Sequence, residues 1–326
     1  MRVLFSVIIP VKEINDYVRE TIPIILSLHR KDLEIILLPN KSSYNEWNVD
    51  NVHVINTGKV GPADKRDIGA SISKGEILTF LDDDSYPSVD IFQVAKHWFR
   101  DETVVALGGP GITPRGDSFF QKVSGAAFLS KFSGGSPERY LSIGRVKEIN
   151  DWPSVNLMVR KKDFLHVGGF NSKFWPGEDT KLCLELIKQT KKKILYIPDM
   201  IVMHHRRSSL MSHLKQVGAY GLHRGFFSKK FPETSRRIKY FFPSMLFIYL
   251  LFLIFYFFQE KINLPFVLYP LIIYAFGLML SFYDVIKNEN LFVAIFSIPY
   301  IVIGHIWYGY NFILGLFRKE LKSILR

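Results

Sequence analysis

The last third of the chain sets the strongest constraint on its fold. Residues 241–258 are apolar or aromatic apart from Pro243 and Ser244, and residues 264–286 and 291–317 continue the pattern. A bilayer core of about 30 Å takes roughly 20 apolar residues as a helix. The first two runs are near that length and the third exceeds it. Three runs in succession, with many Tyr and Trp residues, read as membrane segments and not as core helices. A basic stretch precedes them: Arg206, Arg207, Lys215, Arg224, Lys229, Lys230, Arg236, Arg237 and Lys239, with Glu233 as the acidic exception, in a chain of 326 residues and net charge +12. Such charge suits a polyanion, either nucleic acid or an anionic leaflet. Abutting an apolar run, it reads as juxtamembrane and cytoplasmic, and nucleic acid is excluded as a partner. The expected location is the cell membrane, multi-pass, with the rest of the chain cytoplasmic. Three full crossings would place Arg318, Lys319, Lys322 and Arg326 outside, against the positive-inside tendency. Pro299, Gly304, His305 and Asn311 in the third run are compatible with two half-helices, which leaves the number of crossings open.

The first part reads differently. Short apolar runs at residues 3–10, 34–38, 52–56, 77–82 and 104–109 alternate with helical spacing at 15–29, 63–74 and 88–100. That alternation predicts an α/β fold with a parallel, doubly wound sheet, which binds ligands at the carboxyl ends of its strands. Residues 111–198 are less regular, with a helix expected from 179 to about 189. Residues 208–227 spell either an amphipathic helix on a membrane surface or, through Gly218, Gly221 and Gly225, a closely packed one. The expected division is a catalytic part at 1–235, including the basic segment 204–235, and a membrane region at 236–326. Cys183 is the only cysteine, which excludes an intramolecular disulfide and fits a reducing compartment.

Four groups of residues carry possible chemistry. The run Phe80-Leu81-Asp82-Asp83-Asp84 drives an apolar strand into three carboxylates. Residues two apart in an extended segment face one way, so Asp82 and Asp84 can share a divalent cation, Mg²⁺ or Mn²⁺, completed by phosphate oxygens; a surface acidic turn is the alternative. Gly177-Glu178-Asp179-Thr180 opens a helix, where acidic residues either complement the dipole or supply a general base. Lys65 and Arg66 follow Gly61-Pro62 at a helix start, a place cations do not favour unless a diphosphate is near; a solvated face is the alternative. His204 and His205 are adjacent, so in a strand one of them at most reaches a shared metal. Phosphate-loop, dinucleotide, nucleophile-elbow and C-x-x-C motifs are absent from the sequence.

These elements in this order resemble family 2 glycosyltransferases of the GT-A fold. The resemblance runs from Ser6-Val7-Ile8-Ile9-Pro10-Val11 through Gly61–Gly69, Phe80–Asp84, Asn156–Lys161 and Val167–Phe170 to Gly177-Glu178-Asp179. It implies an α/β, GT-A nucleotide-sugar-binding domain with a mostly parallel sheet, followed by the helical membrane region. In that family's terms Pro10, Val11 and Glu13 line the nucleoside pocket, and Asn40 stands where an acidic base contact is usual. Lys65, Arg66, Asp82 and Asp83 complete the donor-binding set. Asp82 and Asp84 hold the metal with His204 or His205, and Asp179 is the base. The Q-x-x-R-W element of processive synthases is missing, Gln216 being followed by Val217, Gly218 and Ala219. The expected activity is therefore inverting transfer of one sugar, hexosyltransferase-like, from a nucleoside-diphosphate sugar to a hydroxyl. The expected acceptor is a membrane lipid-linked glycan in cell-surface polysaccharide or glycolipid synthesis. A polyprenyl-phosphate glycosyltransferase and a catalytically silent membrane scaffold that binds nucleotide are the alternatives.

Overall fold

A computed structural model describes residues 3–41, 46–258 and 264–321. In chain order the first elements are β1 (Phe5–Pro10), α1 (Asp16–Ser27), β2 (Leu33–Leu38), β3 (Val52–Val54), α2 (Pro62–Ile72), β4 (Ile77–Phe80), β5 (Ser85–Pro87), α3 (Ile91–Trp98), β6 (Val104–Gly108) and β7 (Gly111–Ile112). There follow α4 (Phe119–Ala126), α5 (Lys131–Gly134), β8 (Lys147–Ile149), β9 (Leu157–Arg160), α6 (Lys161–His166), α7 (Glu178–Thr190), β10 (Lys193–Tyr196) and β11 (Val202–His204). The chain continues as α8 (Leu210–Lys230), α9 (Pro232–Ser235), α10 (Phe242–Phe257), α11 (Leu264–Ile286) and α12 (Leu291–Phe317). By compactness the described residues form two units, 1–114 with 141–205, and 115–140 with 206–321. From Arg206 on, the basic segment thus belongs to the second unit, together with an insertion between β7 and β8.

The first unit holds an eight-stranded sheet of order β3-β2-β1-β4-β9-β6-β10-β8 and a small sheet β5-β11-β7. The pairs β1/β2, β1/β4, β2/β3 and β6/β10 are parallel. β1 and β2 are buried along their whole length, which is why both read as continuous apolar runs rather than as alternation. All five strands expected from the sequence are present; β2 begins one residue earlier than expected and the other four are shortened by a residue or more. The sheet is mostly parallel, as the resemblance implies, and not wholly so. β9 runs antiparallel between β4 and β6, and β8 antiparallel to β10, so the sheet is mixed. Those strands are three or four residues long and sit in the irregular middle, too short for periodicity to reveal.

In the second unit α8 packs along α12, and its glycines explain the approach. A Cβ on Gly221 would lie 2.4 Å from the Tyr308 carbonyl oxygen, and one on Gly225 2.0 Å from that of Phe312. Close packing is the use these glycines serve. His213 on α8 is buried beside Phe128 and Tyr300, and its Nδ1 shares a 2.9 Å hydrogen bond with the Ser124 hydroxyl. Burial pushes the imidazole down to about 4. The unfolded chain then binds more protons than the native one between about pH 6.5 and pH 4, so stability is present above that window and is lost as pH falls through it. The expected loss is of order 3 kcal/mol. His213→Asn should flatten the acid limb of a denaturation-midpoint profile between those pH values.

α11 from Val267 to Ile286 and α12 from Leu291 to Phe317 are long and apolar enough to cross a membrane; α10 is shorter, at 16 residues. Lys322 and Arg326, which entered the topology reading, lie outside the described residues.

Candidate active site

The site sits where β1, β2 and β4 end. After Phe80 the chain turns, and the Ser85 hydroxyl fixes the turn by accepting from the Asp82 amide at 3.1 Å and donating to the Asp82 carbonyl at 2.9 Å. The three carboxylates therefore separate through a turn and not through strand alternation. Asp83 leaves the site to accept a 2.7 Å hydrogen bond from Asn15, whose own carbonyl oxygen caps α1 through the Val18 amide. Asp82 and Asp84 stay together, and β11 brings a third ligand. β11 pairs antiparallel with β5, His204 opposite Ser85, and the His205 amide donates to the Asp84 carbonyl at 2.9 Å.

One ligand atom from each of Asp82, Asp84 and His204 lies within 4.8 Å of the others. His204 Nε2 is 3.2 Å from Asp84 Oδ1, with both side chains about nine-tenths buried. Two carboxylates and an imidazole, converging and partly shielded from water, suit a divalent cation and leave room for phosphate oxygens. His205 points away. Its Nε2 is 3.0 Å from Glu20 and its ring lies 4.6 Å from that of Tyr17. Strand alternation thus separates the two histidines, and the structure brings His204 alone to the two aspartates.

Arg66 joins this cluster to α7. It is 3% exposed, donates to Asp82 Oδ1 at 2.6 Å and to Glu178 Oε1 at 3.0 Å, and lies over the Phe170 ring. Burial opposes its charge, but Asp82 and Glu178 outweigh burial and hold the guanidinium above its ordinary value. Glu178 is buried too. Desolvation and the adjacent Asp179 push its carboxyl up, against the pull of Arg66. The sequence offered dipole complementation for Glu178; its buried ion pair with a residue 112 positions away was not visible there. Phe170 is held in place by Asp67, which accepts from the Phe170 and Asn171 amides at 2.8 and 2.9 Å.

Asp179 follows Glu178 in the first turn of α7. Its Oδ2 accepts from the Ser154 amide at 3.3 Å and its Oδ1 from the Thr180 amide at 2.7 Å, while Thr180 is tied to Asp151 at 3.0 Å. The α7 start itself depends on Gly177, whose φ of +115° suits a residue without a Cβ.

Lys65 occupies a different place from the one expected. Its ammonium donates to the Val11 carbonyl, to the Leu38 carbonyl at 3.0 Å and to Asn40 Oδ1 at 2.7 Å. Three donors meet three acceptors, so Lys65 braces the ends of β1 and β2 and is not presented to a diphosphate. Desolvation lowers its pKa to about 8. Asn40 is drawn into the same brace. Pro10 and Val11 are buried at the end of β1, and Glu13 is exposed just beyond.

Known proteins agree with this architecture. The sequence model of Glycosyl transferase family 2 matches residues 6–163. Over 161 residues the chain is 27% identical to the pre-mycofactocin glycosyltransferase of Mycobacterium tuberculosis, covering 49% of this chain and 33% of that protein. It is 23% identical over 230 residues to glycosyltransferase GlyG of Streptococcus pneumoniae serotype 4, covering 64% of this chain and 72% of that one. The chain therefore spans about a third of the length of the first relative. Among solved structures, mannosyltransferase PcManGT from Pyrobaculum calidifontis, in complex with GDP-Man and Mn²⁺, aligns over 98% of this chain and 89% of that one. The TM-score is 0.55 at 14% identity, a likeness of fold. The fold is a mixed α/β sheet core like that of this GT-A neighbour, followed by C-terminal helices. Residues 6–163 thus carry the sequence pattern of a family 2 glycosyltransferase domain.

Proposed function

We propose that the chain transfers one sugar, with inversion, from a nucleoside-diphosphate sugar to a hydroxyl acceptor. The observation that carries this reading is the convergence of Asp82, Asp84 and His204 on one point, linked through Arg66 to the α7 start that bears Asp179. Asp82, Asp84 and His204 would hold Mg²⁺ or Mn²⁺, which when bound neutralises charge developing on the diphosphate leaving group. Arg66 orients Asp82 through their 2.6 Å hydrogen bond. The nucleoside would lie against Pro10, Val11 and Glu13, beside Asn40 and Asp83, with Lys65 acting through the strand ends it braces. Asp179, held by the Ser154 amide, would take the proton of the acceptor hydroxyl as that oxygen attacks the anomeric carbon and the diphosphate departs. Having donor and acceptor side by side supplies much of the remaining rate enhancement.

The apolar helices favour a membrane-anchored enzyme with its site on the cytoplasmic face and a lipid-linked glycan as acceptor. Nucleotide-sugar turnover by membranes carrying the chain, with Mn²⁺ and total lipid extract as acceptor source, tests the reading. Asp179→Asn should lower transfer to a hydroxyl by about 10²–10⁴-fold while leaving donor affinity in place. A phosphate acceptor needs little base, so near-normal turnover by this variant would point to a polyprenyl phosphate instead. Nucleotide binding with neither hydrolysis nor transfer, across a donor panel, would point to a silent scaffold.

A further inference from the structure

We propose that α8 and α12 lie together along the membrane boundary, and that only α10 and α11 enter the hydrocarbon. This rests on the membrane reading above and goes beyond it, because α12 by length and composition alone would be taken to span.

The argument starts from the register of the two helices. His213 meets Tyr300 and Gly304, Gly218 meets Trp307, Gly221 meets Tyr308, Gly225 meets Phe312, and Lys229 donates to the Arg318 carbonyl at 2.9 Å. Positions rise together, so α8 runs parallel to the second part of α12 over its whole 21 residues, about 32 Å. α8 carries Lys215, Arg224, Lys229 and Lys230 and no acidic residue. If α12 stood across the bilayer, Lys215 and Arg224 would stand in it as well, while Lys229 lies level with its end at Arg318. Each costs about 2.5–3.5 kcal/mol at the centre of the hydrocarbon. α8 would also begin about 9 Å along α12, three residues ahead of the His213–Tyr300 contact and so inside the hydrocarbon. Yet β11 of the catalytic unit ends at His204, shortly before α8 starts at Leu210.

Laid flat, the pair makes physical sense. One face of α12 is buried in the second unit through Val293, Ala294, Tyr300, Ile301 and Gly304. The flank beside it presents Phe292, Phe296, Ile303, Trp307, Leu314 and Phe317, all between 37% and 82% exposed and spaced at helical intervals. That stripe suits acyl chains, with Trp307 at headgroup level, while α8 supplies the basic side for an anionic leaflet.

The insertion 115–140 fixes the other end. It leaves the first unit after Pro114, returns to it before Leu141, and packs on the α11–α12 end within the second unit. Ser130 donates to Asp284 at 2.8 Å, and Phe119 packs on Phe296 at 5.4 Å. The Phe132 ring fits against Gly277, where a Cβ would come within 2.3 Å. With α10 and α11 as the two crossings, the turn at Asn288 and residues 318–321 lie on the side of the bilayer from which α10 enters. This placement also relieves the conflict between Arg318 and Lys319 and the positive-inside tendency.

Cysteine labelling of the full chain tests this. In a Cys183→Ala background, Lys96→Cys on α3, Asn288→Cys in the α11–α12 turn and Lys319→Cys after α12 are each treated with a membrane-impermeant maleimide. Intact cells are compared with permeabilised cells, on membrane-retained protein. The expected result is the same intact-to-permeabilised ratio at all three positions. Three crossings would set Lys319 apart, and an α11–α12 spanning hairpin would set Asn288 apart; either outcome overturns the proposal. Protease protection of epitope tags at the same positions gives the same readout should a cysteine variant fail to fold. A chain recovered wholly in the soluble fraction would overturn the anchoring itself, which fractionation shows before any labelling.

Discussion

Asp84→Asn should reduce nucleotide-sugar turnover by at least about 10²-fold, the several kcal/mol a divalent ion contributes to a developing diphosphate charge. Asp84 is the best choice because it is buried in the cluster and meets His204 directly. It is 7% exposed, it faces His204 Nε2 at 3.2 Å, and its carbonyl receives the His205 amide that sets the β11 register. The amide keeps the side-chain volume and the fold while removing one charge and one good ligand. The same loss should accompany His204→Asn, whereas His205→Asn, directed at Glu20, should keep most of the turnover. Parallel steady-state assays over a Mn²⁺ series check this, and rescue of Asp84→Asn by raised metal would show that the loss lies in ion binding.

Arg66→Met should be the most destabilising single change in the catalytic unit. It leaves Glu178, buried and 3.0 Å away, without its cation, and breaking a buried pair from one side costs about 3–5 kcal/mol. The deficit should depend on pH. Burial raises the folded-state pKa of Glu178, so its contribution to stability is fully present below the unfolded carboxylate value and is lost as pH rises through the raised one. Without Arg66 that loss deepens, and the variant should fall further behind the parent at pH 9 than at pH 5. Adding Glu178→Gln should recover part of the loss, since removing both charges can be close to neutral. Chemical denaturation of the four members of this cycle at both pH values measures it. A variant as stable as the parent at pH 9 would show that Arg66 does not hold the pair.

Much of this was legible in the chain because the signals were local. The strands β1, β2, β4 and β6 are runs of buried residues and show as such. The acidic turn at 82–84 and the Gly177-Glu178-Asp179 helix start are each contiguous. What stayed hidden depended on distance in sequence. The Arg66–Glu178 pair, the Ser154 amide on Asp179 and the insertion of β9 between β4 and β6 are long-range pairings with no local periodicity. Lys65 shows the reverse error. A cation at a helix start suggested a phosphate, but three backbone and side-chain oxygens of neighbouring strand ends satisfy it. The choice between His204 and His205 followed from alternation only once β11 and its partner β5 were known.

Calorimetric titration of a nucleoside diphosphate into the full chain, with Mn²⁺ and with chelator, goes straight to the point on which the account turns. Binding should need the ion and should vanish in Asp84→Asn while that variant stays folded. Equal affinity with chelator, or undiminished binding by folded Asp84→Asn, would contradict it.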